Sequence, residues 1–409
     1  MNMKQMVKRT IKSVVPASTL DAIKKKMFLS YVKNADRIGA EANQYPFGIN
    51  LVGPIRGDYG LGESCRLLAD IIKASEIPFT IVNTSFGNPA ENDRSWEGYE
   101  GDEFPYAINI VHINPSILPQ VVWKQKKREM FKRYNIAYWL WEMPEFPPEW
   151  DYAFEAFDEI WTPAEFISEA IRKRTDKPVK TIPYGFYTPR TEDRFDRAHF
   201  DLAEDPFYFM VSYDGNSVSE RKNPWGTIRA YKSAFSPEEN AVGLVIKATH
   251  ASESEIRALH SCLDGYPNIV VLTKSYSKPE FNSLVQCVDC YVSLHRAEGF
   301  GLVMAEAMLL GTPVIATDWS ANTEFMDEST ACMVPAEIVA LDRDIYPYKK
   351  GSHWANPDEK AAGQYMRKIY ENENFRQQKI RAALERMHTA FSVEAAAKAL
   401  RAALPDKEK

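Results

Sequence analysis

The chain has 409 residues, 45% of them apolar and 26% charged, with a formal net charge of −6. That length fits about two domains, no stretch is long and apolar enough to cross a bilayer, and the acidic balance argues against general nucleic-acid binding. Five cysteines, an odd number, fit reduced thiols, and the start MNMKQMVKRTIKSVVPAS interleaves lysines with its apolar residues, unlike a signal peptide, so a cytoplasmic location is expected.

Residues 1–45 read as a basic amphipathic segment. Lys4, Lys8, Arg9, Lys12, Lys24, Lys25, Lys26, Lys33 and Arg37 face only Asp21 and Asp36 before residue 41, and Met3, Val7, Ile11 and Val14, then Leu20, Ile23 and Met27, recur at helical spacing. Such a segment suits peripheral contact with an anionic membrane, the inner face of the cytoplasmic membrane; a solvated helix pair packed on the protein is the equal alternative.

From Phe47 strand-like and helix-like segments alternate. Phe47–Val52, Phe79–Asn83, Ala107–Ile113, Ile136–Leu140, Glu159–Thr162 and Val179–Pro183 read as strands, with Gly62–Ser75 and Pro163–Arg174 among the helices between them. Residues 191–206 are polar and charged and read as a linker between domains at 46–190 and 207–390. In the second run the strands are Phe207–Tyr213, Val242–Ala248, Ile269–Thr273, Cys290–Leu294 and Pro313–Thr317. Pro224–Phe235, Ser252–Cys262, Lys278–Cys287 and Gly301–Leu310 fit the helices. Residues 336–357 read as a loop insertion, and 391–409 as a C-terminal helix and tail. Two such runs imply two parallel-sheet α/β domains with helices on both faces. Ligands of such sheets bind beyond the carboxyl ends of the strands, and two facing domains would form a cleft between them.

Glu298 and Glu306 enclose a Gly-Phe-Gly turn between a strand and a helix. A helix N-terminus suits a phosphate and paired carboxylates suit vicinal sugar hydroxyls, which together point to a nucleotide sugar. The first strand-to-helix turn, with Gly53, Gly57, Gly60 and Gly62, fits a phosphate contact or a plain tight turn, and lacks both the Walker A and the dinucleotide pattern. Arg221 and Lys222, before a Pro-initiated helix, can neutralise a diphosphate or be a solvated cap. Lys247 ends an apolar strand, where an ammonium needs a carboxylate partner or a ligand phosphate. His112 ends another, as a structural residue or a donor to a sugar oxygen. Trp141 and Glu142 fit either core or an acceptor-sugar platform. Cys287 and Cys290 have metal spacing but read as buried thiols. The seven histidines are scattered, and no metal site is expected.

Several of these segments together resemble the retaining glycosyltransferases of family 4, which have the GT-B fold. Glu298-Gly-Phe-Gly-Leu-Val-Met-Ala-Glu306 looks like that family's E-x7-E motif, Glu220-Arg-Lys-Asn-Pro224 like its basic diphosphate contact, and Gly60-Leu-Gly62-Glu63 like its glycine loop. A subgroup acting on bacterial surface polysaccharides, mannosyltransferases among them, is similar across Val111–Pro115, Tyr138–Pro144 and Asp158–Pro163. The resemblance implies two Rossmann-like domains facing across a cleft, acceptor side first and donor side second. It implies a hexose-type donor, mannose-like, on a nucleoside diphosphate and a glycan or lipid-linked oligosaccharide acceptor, with no cofactor or metal. Glu298 would hold the transferred sugar, seated by the amides of Gly299, Phe300 and Gly301 ahead of Leu302. Glu306 would grip the ribose, Arg221 and Lys222 the diphosphate, and His112 would sit near the donor sugar. Gly60 and Gly62 would approach from the opposite domain, and Thr273 and Tyr276 would lie beside the base. Many relatives carry a Gly-Arg pair where this chain has Gly215-Asn216, and Arg221 or Lys247 would supply that charge. A catalytically silent sugar-nucleotide-binding or scaffolding protein of the same fold is the competing reading, against which the intact Glu298, Glu306, Arg221 and Lys222 argue.

Overall fold

Apolar runs of four to eight residues, buried on both faces, become parallel strands because helices must cover both sides of such a sheet. The computed structural model describes residues 17–33, 45–84, 92–125, 128–189, 194–263 and 265–405. Strands β1 (Ile49–Gly53), β2 (Phe79–Asn83), β3 (Ile108–Val111), β4 (Tyr134–Tyr138), β5 (Glu159–Thr162) and β6 (Val179–Thr181) form a parallel sheet in the order β2-β1-β3-β4-β5-β6. Strands β7 (Phe207–Asp214), β8 (Val242–Thr249), β9 (Ile269–Leu272), β10 (Cys290–Ser293), β11 (Val314–Thr317) and β12 (Cys332–Val334) form a second, in the order β12-β11-β10-β7-β8-β9. The strands read from the sequence are all present. The three-residue β12 was not anticipated.

The helices are α1 (Ala17–Lys33), α2 (Gly60–Ala74), α3 (Leu118–Gln125), α4 (Glu165–Arg172), α5 (Ser219–Lys222), α6 (Pro224–Ala234), α7 (Glu253–Cys262), α8 (Lys278–Cys287), α9 (Leu302–Leu309), α10 (Glu359–Glu371), α11 (Glu373–Thr389) and α12 (Val393–Ala403). Local chemistry sets several starts: α7 and α8 each open on a reciprocal Ser/Glu capping box, Ser252 with Glu255 and Ser277 with Glu280. Asn223, left-handed at φ 52°, caps α6 by accepting from the Gly226 amide ahead of Pro224.

The segment at 336–357 is no plain loop. Strands β13 (Ala336–Ala340) and β14 (His353–Pro357) pair antiparallel into a hairpin. The expected linker is also ordered where described: Phe200 and Leu202 are buried, and Arg197 binds the Cys287 carbonyl and the Asp289 carboxylate, both at 2.9 Å. Helix α12 returns to the first domain and packs on α2. One apolar cluster therefore runs from β1 and α2 through Tyr184, Phe186 and Phe300 to α9 and α12, joining the domains. All five cysteines are free, and Cys287 and Cys290 are buried at the α8–β10 junction.

Of the basic N-terminal segment, only α1 falls in the described residues; Met3, Val7, Ile11 and Val14 lie outside them. Phe28 and Val32 of α1 are buried, Phe28 edge-on to Phe131 and Tyr152. Lys25 donates to the Glu149 carbonyl at 2.9 Å. This helix packs on the first domain, while Ile23 and Met27, two of the periodic apolar residues, stay exposed.

Candidate active site

In the first sheet the chain leaves β1 toward β2 and then crosses to β3 on the other side; in the second it reverses between β7 and β10. Loops diverge at such switch points and leave a crevice at the carboxyl ends of the strands. There the loop after β4 meets the loops after β7 and β10, with Glu142 3.9 Å from Arg221 and Trp141 facing Gly299, while Glu63 at the start of α2 meets Lys278 at the start of α8.

Glu298 is the hub. Its side chain is 10% exposed, and Oε1 accepts from Lys222 Nζ at 2.5 Å and lies 3.4 Å from Arg221 Nη1. Burial alone would push this carboxyl up; the Lys222 and Arg221 charges, helped by His295, bring it down to about 2. Its amide donates to Ser320 Oγ at 2.9 Å. Buried His295, which sequence reasoning missed, braces the same loop between Ser293 Oγ (3.0 Å) and Asn322 Oδ1 (3.0 Å).

Arg221 and Lys222 differ in kind. Arg221 is buried, donates to the Ala297 carbonyl at 2.6 Å and to Ser217 Oγ at 3.0 Å, and reaches Glu142 of the first domain at 3.9 Å. It orients the loop rather than standing open to a ligand. Lys222 is 26% exposed at the side chain and free to turn from Glu298.

In the Gly-Phe-Gly turn, Phe300 is 3% exposed, its ring edge-on to Tyr184 (4.8 Å) and stacked on Phe325 (5.0 Å) and Phe186 (6.0 Å). This side chain anchors the loop in the core. Gly301 caps α9 at φ +97°, a conformation that L side chains rarely adopt. Among the described residues nothing accepts from the amides of Gly299, Phe300 or Gly301, and Leu302 opens α9 with the free donors of a helix start. Gly299 faces the Trp141 carbonyl and the Glu142 side chain across the cleft.

Glu306 lies on α9, 8% exposed at the side chain, paired with Lys278 Nζ; Lys278 also lies 3.2 Å from Glu63 Oε1 of the first domain. Burial raises the Glu306 carboxyl and Lys278 opposes the rise. Gly62, in the first turn of α2, has no room for a side chain, since a Cβ would stand 2.0 Å from the Gly57 carbonyl oxygen, whereas Gly60 is open. Arg66 Nη1 holds the carbonyls of Ile55 (3.0 Å) and Gly57 (2.8 Å).

Lys247 is 1% exposed. Its Nζ donates to Thr249 Oγ1 at 2.6 Å and lies 5.2 Å from the centre of the Tyr276 ring, with no carboxylate within ion-pair distance among the described residues. Burial lowers it to about 8 against the pull of Asp214. Thr273 directly follows β9, in an exposed position near Tyr276 in sequence.

Two expected site residues are structural. His112 is fully buried; Nδ1 donates to the Tyr138 carbonyl (2.8 Å), so Nε2 accepts from Ser64 Oγ (2.7 Å), and Ser64 in turn meets Tyr184. Neither ring nitrogen is left for a sugar. Trp141 is 3% exposed, its ring against Trp150 (4.8 Å) and Tyr348 (5.5 Å), so it is core and holds Glu142 in place rather than offering a platform. Burial drops His112 to about 4 from an ordinary 6.5. The unfolded chain therefore binds a proton that the folded one refuses as pH falls from 6.5 toward 4, and stability present above 6.5 is lost across that window, about 3 kcal/mol in all. Urea unfolding of wild type and His112→Asn at pH 7 and 4.5 checks this; equal acid losses in both would disprove it.

The hairpin crosses the cleft beside these groups. Ala355 donates to the Arg296 carbonyl (2.8 Å) two residues from Glu298, while Tyr348 packs on Trp141 and His353 Nδ1 meets Glu145 Oε1 at 2.7 Å. Among the described residues no group of three His, Cys, Asp or Glu side chains could hold a metal ion. The one Asp-x-Asp element near the site is spent locally: Asp342 pairs with Arg343 (3.6 Å) and Asp344 accepts from the Lys350 amide (2.8 Å).

Residues 212–345 match the family model described as glycosyl transferases group 1. No curated protein matches the chain in sequence. Among solved structures, HepE of Anabaena in complex with UDP and glucose is similar over 87% of this chain and 98% of its own, at 13% identity and TM-score 0.63. A glycosyltransferase from Rickettsia africae is similar over 87% and 97%, at 10% identity and TM-score 0.60. An apo structure of OtsA is similar over 88% and 99%, at 11% identity and TM-score 0.61. Two Rossmann-like domains facing across a cleft make the GT-B fold, and this chain has it.

Proposed function

We propose that the protein is a retaining, family-4-type glycosyltransferase. It moves a hexose-type sugar, mannose-like, from a nucleoside diphosphate to a glycan or lipid-linked oligosaccharide acceptor in bacterial envelope polysaccharide synthesis. The observation that carries the reading is Glu298 with its two cations at the switch point of the second sheet, inside the segment that matches the glycosyltransferase model. HepE, similar in fold, was crystallised with UDP and glucose, and that supports a nucleotide-sugar donor in the same cleft.

In this reading Glu298 accepts from hydroxyls of the transferred sugar and Glu306 from the ribose. As the anomeric bond breaks, negative charge grows on the leaving diphosphate, and preorganised donors stabilise it. Lys222 turns from Glu298 to a phosphate, the amides before α9 face another, and Arg221 stays to hold Glu298. Of the two candidates for the missing arginine charge, Lys247 fits, because it is buried and among the described residues pairs with Thr249 rather than with a carboxylate. Side-chain cations thus meet the diphosphate, and the reading needs no metal. The leaving phosphate takes the acceptor proton on the front face.

Thermal shift across UDP-, GDP-, ADP- and dTDP-sugars, followed by proton NMR of the product, tests both halves. One nucleotide class should raise the melting temperature, and the product should keep the donor's anomeric configuration. No shift with any of them sinks the donor site; an inverted product sinks retention alone.

A further inference from the structure

Lys278 belongs to none of the motifs read from the sequence, yet it joins the two domains at the donor side. It is the first residue of α8, set by the Ser277–Glu280 capping box and followed by Pro279. Its ammonium touches Glu306 Oε1 and lies 3.2 Å from Glu63 Oε1. The other oxygen of Glu63 accepts from Arg66 Nη2 at 2.7 Å, and the same guanidinium holds the carbonyls of the glycine loop. A continuous run of charge-assisted bonds thus leads from Glu306 to that loop in the opposite domain. Glu306 lies on a helix whose other residues are apolar, where a carboxylate without a cation would be costly. Lys278 supplies that cation through Oε1 and leaves Oε2 without a partner among the described residues.

We propose that Lys278 is a positioning residue for the ribose of the donor: it holds Glu306 as an acceptor for the ribose hydroxyls and, through Glu63 and Arg66, ties ribose recognition to the glycine loop. The inference rests on the donor reading of Glu306 given above. It separates Lys278 from a plain interdomain ion pair, which would affect folding and leave sugar recognition alone.

Calorimetric titration of the full chain with UDP, GDP and their 2′-deoxy analogues tests it. Wild type should bind a ribonucleotide about tenfold more tightly than its deoxy analogue, the yield of a charge-assisted hydrogen bond. Lys278→Met should lose about tenfold on the ribonucleotide and change little on the analogue, so that the preference collapses; Lys278→Arg should restore most of it. Should Lys278→Met fail to fold, Lys278→Gln, which keeps a donor without the charge, takes its place with the same expectation. Equal weakening of both probes, or a lower melting temperature with the preference intact, overturns the inference. A wild type that binds none of these four nucleotides, nor ADP or dTDP, overturns the donor reading itself and the inference with it.

Discussion

Glu298→Gln is expected to lower sugar transfer by about a hundredfold to a thousandfold, the loss on removing one preorganised group from a charged transition state. The change is nearly isosteric, so its effect is electrical. Glu298 is the carboxylate nearest to Arg221, at 3.4 Å against 3.9 Å for Glu142, and it pairs with Lys222 as well. Without it Arg221 keeps its burial and loses its main counter-charge, and a broken buried pair costs about 3 kcal/mol or more. Transfer rate and urea midpoint should therefore fall together. Lys222→Met, which removes the more exposed of the two cations, should reduce transfer and leave the midpoint near wild type. Undiminished transfer by Glu298→Gln would remove that carboxylate from the mechanism.

Phe300→Ala is expected to cost about 3–5 kcal/mol of stability, the range for truncating a buried phenylalanine. Its ring touches Tyr184 and Phe186, which follow β6 in the first domain, and Phe325 in the second. The cavity would open where the two domains share their core, and the turn that holds Glu298 would lose its anchor. A fall in the denaturation midpoint with a matching fall in donor affinity is the expected result; Phe300→Leu should recover most of both. A variant within 0.5 kcal/mol of wild type, a surface-like change, would show that the turn is held by its backbone alone.

Much of this architecture is legible in the sequence because parallel strands buried on both faces are continuous apolar runs: Ile49–Gly53 and Cys290–Ser293 are buried at every position. The turn at Gly301 is legible because its φ demands glycine. The hairpin was not, since Ala336–Ala340 is largely exposed and has no apolar alternation to mark a strand. The role of His112 depends on Ser64, 48 residues away, and on the Tyr138 carbonyl, neither of which a local pattern reveals. Lys278 is hidden from a sequence reading for the same reason, because its two carboxylates lie on different domains. The aromatics of Tyr138–Pro144 read equally as core or as a sugar platform, and the burial of Tyr138, Trp139 and Trp141 makes them core.

The hairpin also limits how this fold can be recombined. Its strands belong to the second domain, but Leu341, Tyr348 and Trp354 sit in the apolar cluster of the first. A chimera cut in the 191–206 segment would pair one parent's hairpin with another parent's Trp141, Glu145 and Trp150. Exchanging halves between relatives thus requires moving residues 139–150 and 336–357 as a matched set, and a cut at 191–206 alone would break the shared packing.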